Sequence, residues 1–358
     1  MKAKIAYIEL DTHAEIAGNF MELMKDSSEF SVDYFFSEKI LKILGLQEGG
    51  NIFKTNHRTI FSQLQSQNYH QVILGTVHRY FNIFEKITNC FATTIICHNL
   101  NFVNAGNFQL GSNLLKKEVS FRLKLLLKEG LLRKNKVYEK AKRLWVLDEN
   151  LADKKFHFLP LFFTKKSEKI QNEIFTIVVP GTVSQQRKDY KAIVRKLTQY
   201  QGNHRYKIVF LGKASGQELI EIENLKKQRG DYLSVEYFTE KLPYSKFDEL
   251  MRSADILWCP VQEKNEFLGI EECYGKTKMS GNIGDAIAYA KIAVFPKSYE
   301  GKYAFVVPEI VLFEKKSLLK SYDAHIAEFF EEYTKEKVRY RLENTLKSFI
   351  FAESNGTV

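Results

Sequence analysis

The stretch Ser280-Gly281-Asn282-Ile283-Gly284-Asp285-Ala286-Ile287-Ala288-Tyr289-Ala290-Lys291-Ile292-Ala293-Val294-Phe295-Pro296 reads as two elements in sequence. A serine and small polar residues open a helix over Asn282–Tyr289, and the apolar run Ala293–Pro296 follows it as a strand. A helix leading within a few residues into a short, wholly apolar strand is the unit from which buried parallel sheets are wound.

Outward from this unit the alternation recurs along the chain. Strands are predicted at Phe175–Val179, Lys207–Leu211, Ser234–Tyr237 and Ile256–Pro260, with helices at Tyr190–Tyr200, Gln217–Gln228 and Tyr244–Arg252. The first half repeats the pattern with strands at Lys4–Leu10, Ser31–Phe36, Gln71–Gly75, Thr93–Cys97 and Arg143–Leu147 and helices such as Ala14–Lys25 and Thr59–Gln67. Two β/α series of similar size predict an α/β protein of two doubly wound, Rossmann-like domains facing a central cleft. The expected divisions are an N-terminal domain over 1–163, a second over 164–332, and a terminal segment 333–358 with a helix over Thr334–Phe351 that packs back on the first domain. The crossover falls at Phe158-Leu159-Pro160-Leu161-Phe162-Phe163 and the polar Thr164–Lys169.

A chain of 358 residues suits two cores rather than one, and its apolar content of 44% sets disorder and fibrous classes aside. Cys90, Cys97, Cys259 and Cys273 have no C-x-x-C spacing, which points to free thiols in a reducing compartment. The apolar run after Met1-Lys2-Ala3-Lys4 is short, contains Glu9 and meets Asp11, so it reads as a strand and not a leader. No stretch approaches the ~20 apolar residues of a membrane span. A cytoplasmic location is therefore expected, with contact to the inner face of a membrane considered below.

In open parallel sheets ligands bind beyond the carboxyl ends of the strands. In the first half those ends carry Asp11, Thr12 and His13, then Thr76, Val77, His78 and Arg79, then His98 and Asn99. Ordinary half-exposed loop histidines would give the same pattern. In the second half the ends carry Thr182 with Arg187 and Lys188, then Lys213, then a long polar loop reaching Lys276, Thr277, Lys278, Ser280, Gly281 and Asn282. A helix start offers free N–H groups and the positive end of the dipole, and neighbouring cations complete a site suited to a diphosphate. Asp285, in the first turn, serves the dipole equally well or holds ribose hydroxyls. G-x-G-x-x-G, Walker, H-E-x-x-H and G-x-S-x-G motifs are absent.

The second half resembles the donor-binding domain of GT-B glycosyltransferases of the family 4 type. The resemblance rests on Val178-Val179-Pro180-Gly181-Thr182 with Arg187-Lys188, on Lys207–Lys213, on Ser234–Cys259, and on Ser280–Lys291 with Ile292–Pro296. It covers roughly residues 170–300 well and 1–165 in layout only, where Ile95-Ile96-Cys97-His98-Asn99 is similar to the family's strand and histidine. The resemblance implies an enzyme that moves a sugar, of hexosyl type, from a UDP- or GDP-sugar to a glycan or lipid-linked acceptor in bacterial cell-surface polysaccharide or glycolipid assembly. By it, Arg187 and Lys188 pair with the diphosphate, to which the strand-end reading adds Lys213, Lys278, Ser280, Gly281 and Asn282. Asp285, Thr277 and Thr182 face ribose and sugar, and His98 the reacting centre. His78, Arg79 and Asn99 lie on the acceptor side. The nucleotide sugar is a co-substrate, with no other cofactor and no metal expected. The sequence departs at Thr277, where the family usually has a glutamate, and at Asp285, which replaces a second one. A retaining course is expected, an inverting one calling on Asp11 or His13 as base. An epimerase or hydrolase of the same fold, and a binding protein without catalysis, are the alternatives.

The net charge of +10 concentrates in 114–143, where eleven Lys and Arg from Lys116 to Arg143 interleave with leucines. Such a segment predicts a basic amphipathic helix for an anionic membrane surface, or equally a core-facing helix with a solvated basic side. No nucleic-acid recognition motif accompanies it, so nucleic acid is not an expected partner.

Overall fold

The computed structural model describes residues 2–112, 119–165, 170, 172–200, 205–229, 233–299, 301–309 and 328–352. The first domain is built on seven parallel strands: β1 (Ala3–Glu9), β2 (Phe30–Phe36), β3 (Ile52–Lys54), β4 (Gln71–Leu74), β5 (Thr93–Ile96), β6 (Arg143–Val146) and β7 (Phe156–Phe158), ordered β3-β2-β1-β4-β5-β6-β7. The second holds β8 (Phe175–Pro180), β9 (Tyr206–Lys213), β10 (Leu233–Phe238), β11 (Ile256–Trp258), a hairpin of β12 (Lys264–Phe267) and β13 (Ile270–Cys273), then β14 (Ile292–Phe295) and β15 (Val306–Pro308). Its six-stranded sheet runs β10-β9-β8-β11-β14-β15. In both sheets the order turns back beside the first strand, β1 or β8, so neighbouring strand ends splay apart and leave the crevice in which such sheets bind ligands.

The central strands were legible because both of their faces are buried, which makes them near-continuous apolar runs. The short edge strands β3, β7 and β15 carry too few residues for a pattern. The hairpin replaces what reads in sequence as a polar loop. Its turn places Leu268 and Gly269 at φ 49° and 84°, the paired positive values of a two-residue hairpin turn, and leucine does not announce that conformation.

Close packing joins the domains. The hairpin's Ile270, 2% exposed, belongs to the core of the first domain, and Phe267 lies 5.1 Å from Phe102 and 4.4 Å from His78. Buried Glu272 accepts hydrogen bonds from the Asn101 and Phe102 amides (3.2 and 2.8 Å), occupying the free N–H groups that open the helix Leu100–Asn104. At the crossover, Phe162 packs on Gly284 so closely that a Cβ there would lie 2.4 Å from the ring. The helix Lys335–Ala352 lays Val338, Leu342 and Leu346 into the apolar cluster on the β1 and β2 side of the first sheet.

The basic segment departs from the single amphipathic helix. Residues 113–118, which carry Lys116 and Lys117, lie outside the described residues. The remainder is a helix Val119–Leu127, a break at Gly130 (φ 74°) and a second helix Lys134–Lys140. Two of its cations face inward. Arg122 is buried and meets Glu266 at 3.0 Å. Lys134 is fully buried, with Nζ donating to the carbonyls of Phe102, Val103 and Ala105 at 2.6, 2.9 and 2.7 Å. It complements the carbonyls that close the helix Leu100–Asn104, where the negative end of the dipole lies. Among the described residues, no helix is long and apolar enough to cross a membrane.

Candidate active site

Three strand ends of the first domain converge their histidines. After β1 the chain turns sharply, with His13 left-handed (φ 57°) at the start of the helix Ala14–Met24. After β4, Tyr80 adopts the same conformation at the start of Phe81–Cys90. A non-glycine residue held there costs on the order of 1–3 kcal/mol, strain that clusters at functional positions. The His13 and His98 rings stack at 3.8 Å and 14°, and His78 stands edge-on to both at 6.1 and 5.8 Å. A ring nitrogen of His98 is 2.8 Å from the Gly75 carbonyl, and His78 Nε2 is 3.1 Å from Asn99 Nδ2. Burial drives His78 down to about 3 and His98 well below the ordinary histidine range, with the charges of His13 and Lys278 adding to the effect. Both are therefore neutral imidazoles at pH 7.

His13 differs from the other two. Its ring is partly open, and Nδ1 lies 3.1 Å from Glu15 Oε1. Burial works to raise the Glu15 carboxyl, but the His13 hydrogen bond and charge hold it below its usual value. A carboxylate that fixes one nitrogen of an imidazole leaves the other for proton transfer. Asp11 is placed otherwise, 3.5 Å from Lys39 and 3.6 Å from Arg79. Arg79 is itself engaged by Glu129 through two bonds of 2.9 and 2.5 Å.

Beneath the histidines sits Glu9, only 1% exposed at the end of β1. It accepts from the Thr76 hydroxyl (2.7 Å) and the Asp11 and Thr12 amides (3.2 and 3.3 Å). Burial nonetheless pushes its carboxyl up to about 7. Glu9 and Glu15 were not among the residues singled out from the sequence. Glu9 had a signal, an acid inside an apolar strand, whereas Glu15 reads as an acid favoring a helix dipole.

In the second domain the helix Gly281–Tyr289 starts at Ser280, whose side chain accepts from the Asn282 amide. Asn282 Nδ2 donates to Asp285 Oδ2 at 2.9 Å. Burial raises the Asp285 carboxyl against the pull of Asn282, Lys188 and Lys165. Lys188 is buried and its Nζ bonds the Pro180 carbonyl, while Arg187 and Lys213 are exposed. Thr182 is exposed as well, and Gly212 lies so near that its Cβ would sit 2.2 Å from the Gly181 carbonyl oxygen. Lys278 is half-buried, its Nζ 3.4 Å from Asn265 and above the Tyr274 ring, and burial lowers it to about 8. The Thr277 hydroxyl donates to Glu272 at 2.6 Å.

The two sides act on one another across the cleft. Lys278 bears on His78 and His98, and Glu15 on Asp285. His13, His78, His98, Asn99, Lys188, Arg187, Lys278 and Asp285 thus form one neighbourhood. Lys213 takes no part in the interactions that tie it together.

No protein-family model matches the chain, and no curated protein matches it. Solved structures do. The apo lipopolysaccharide outer core galactosyltransferase WaaB is 11% identical with TM-score 0.54, covering 98% of this chain and 99% of its own. The pneumococcal O-GlcNAc transferase GtfA, solved with UDP and GlcNAc, is 9% identical with TM-score 0.53 over 98% and 99%. Anabaena HepE with UDP-glucose is 9% identical with TM-score 0.54 over 96% and 99%. The chain has the two-domain GT-B fold of these glycosyltransferases.

Proposed function

We propose that this protein transfers a sugar from a nucleoside-diphosphate sugar to an acceptor hydroxyl held against the first domain. The observation that carries this reading is a histidine–carboxylate pair, His13 and Glu15, set across one cleft from a helix start flanked by cations. Scission of the sugar–phosphate bond leaves negative charge on the departing diphosphate. Arg187, Lys278 and the amides opening at Ser280 stabilise that charge more in the transition state than in the ground state. Buried Asn99 Oδ1 and Thr12 Oγ1 lack partners among the described residues. Asp285, with one oxygen committed to Asn282, has the other for ribose.

UDP is the first nucleotide to test, since it accompanies GtfA and HepE. A glycan or lipid-linked acceptor of cell-surface assembly, reached on the inner face of a membrane, is the matching physiological setting. Calorimetry with UDP, GDP and their sugar conjugates tests the donor site. One diphosphate should bind and weaken at least tenfold, about 1.4 kcal/mol, in both Arg187→Ala and Lys278→Ala. Absence of binding by the wild type overturns the reading.

A retaining course needs no protein base, whereas the His13–Glu15 pair is what an inverting course requires. That geometry favours inversion: the acceptor proton passes to the open nitrogen of His13 as the oxygen bonds the anomeric carbon and the diphosphate leaves with the electron pair. The anomeric configuration of the product, read by NMR, separates the two courses.

A further inference from the structure

Beside the histidines, on the outer flank of Arg79, lies a separate cavity of about 610 Å³ walled chiefly by His57, Arg58, Tyr80, Lys124, Lys128 and Glu129. Arg58, Arg79, Lys124 and Lys128 face a single carboxylate there, and Glu129 is already held by both bonds to Arg79. Lys124 Nζ stays 4.0 Å from Glu129, and among the described residues Arg58 and Lys128 have no carboxylate partner. Like charges gathered in a concave site repel one another and raise the local concentration of anions. One wall is aromatic. Tyr80 lies parallel to His57 at 4.8 Å and 1°, with the Arg79 guanidinium 4.7 Å from its ring, and like His13 it is held at φ 57°. Arg79 also reaches Asp11, two residues before His13, so the cavity adjoins the reacting centre.

We propose that this cavity is an acceptor subsite for a phosphate group, with Arg58, Lys124 and Lys128 on its oxygens. The proposal rests on the transferase reading for the word acceptor, but not for the binding itself. Lysines supply mobile point charges and arginine a planar fork, the pair of geometries that phosphate oxygens accept. Two sources carry this chemistry, a lipid-linked sugar diphosphate and a soluble phosphorylated glycan. A lipid chain would find Phe121, Leu123 and Leu127 exposed on the helix that carries Lys124.

The test uses the full chain with UDP at saturating concentration, inorganic pyrophosphate and geranyl diphosphate as probes, and two readouts, calorimetry and the NMR titration of the His57 imidazole. Burial, followed by Arg58, now holds His57 below its ordinary value, and a bound anion favours its charged form. Both probes should bind and raise the His57 midpoint. Arg58→Glu/Lys128→Glu should weaken them at least tenfold and leave UDP affinity unchanged. Tighter binding of geranyl diphosphate assigns the lipid source, and equal affinity the soluble one. A His57 midpoint that ignores both probes, or affinity unmoved by the charge reversals, overturns the subsite. Pyrophosphate that moves His57 in a protein without UDP affinity would sustain the anion site while the transferase reading fails.

Discussion

The histidines of the first domain are held by protein atoms before any ligand arrives: His98 against the Gly75 carbonyl, His78 against Asn99, His13 against Glu15. Facing them, the second domain offers cations of a different kind. Arg187 stands in solvent, Lys188 is folded back on the Pro180 carbonyl, and Lys278 has a single long hydrogen bond. One bank of the cleft is thus preorganised for proton traffic, which depends on orientation. The other keeps its positive charge uncommitted, as a site for a highly charged ligand should.

Three experiments bear on this contrast. The largest effect is expected at His13. His13→Ala should lower kcat about a thousandfold, within the usual range for a lost general base, while UDP affinity measured by calorimetry stays within about twofold. A matching loss of UDP affinity would mean that the banks are not separate in function.

Next comes Glu9. Its folded-state value, about 7 against 4.5 for an ordinary glutamate, means that the native state binds more protons than the unfolded chain between those pH values. Stability must then fall as pH rises from about 4.5 to 7, by about 3 kcal/mol for a shift of this size. Denaturant melts across that range should show the decline in the wild type and lose it in Glu9→Gln. Parallel profiles for the two proteins would remove Glu9 as its cause.

The smallest effect concerns Lys278, which loses its charge near pH 8. In the free enzyme kcat/KM should drop about tenfold per pH unit above that value, and Lys278→Arg should flatten this limb by keeping the cation. An unaltered limb in the arginine variant would place the titration elsewhere.

How far the sequence carried these conclusions depends on where the information lay. β1, β4, β5, β8 and β14 were readable because burial on both faces leaves short, largely apolar or β-branched runs between helical stretches. The strand ends then followed from topology, and with them His13, His78 and His98. Their mutual stacking did not, since ring geometry depends on the left-handed turn at His13. Glu15 looks in sequence like any first-turn acid. Lys134 is one cation among eleven in its stretch, and only the position of the helix end Leu100–Asn104 decides which of them turns inward. The hairpin was hidden because most of its residues are polar and its burial is supplied by the other domain.

That hairpin and the terminal helix also set the order in which the protein can be finished. A nascent chain ending at residue 163 contains all seven strands of the first sheet, yet lacks Ile270 on one face and Val338, Leu342 and Leu346 on the other. The first sheet is covered fully only by residues that follow the second domain. At translation speeds of about 5–20 residues per second, roughly 190 further residues take on the order of 10–40 s. Until the hairpin is made, both sides of a largely paired sheet carry open apolar surface; after it, only the side awaiting Val338, Leu342 and Leu346 does, and chaperone engagement should concentrate there until the helix Lys335–Ala352 has emerged.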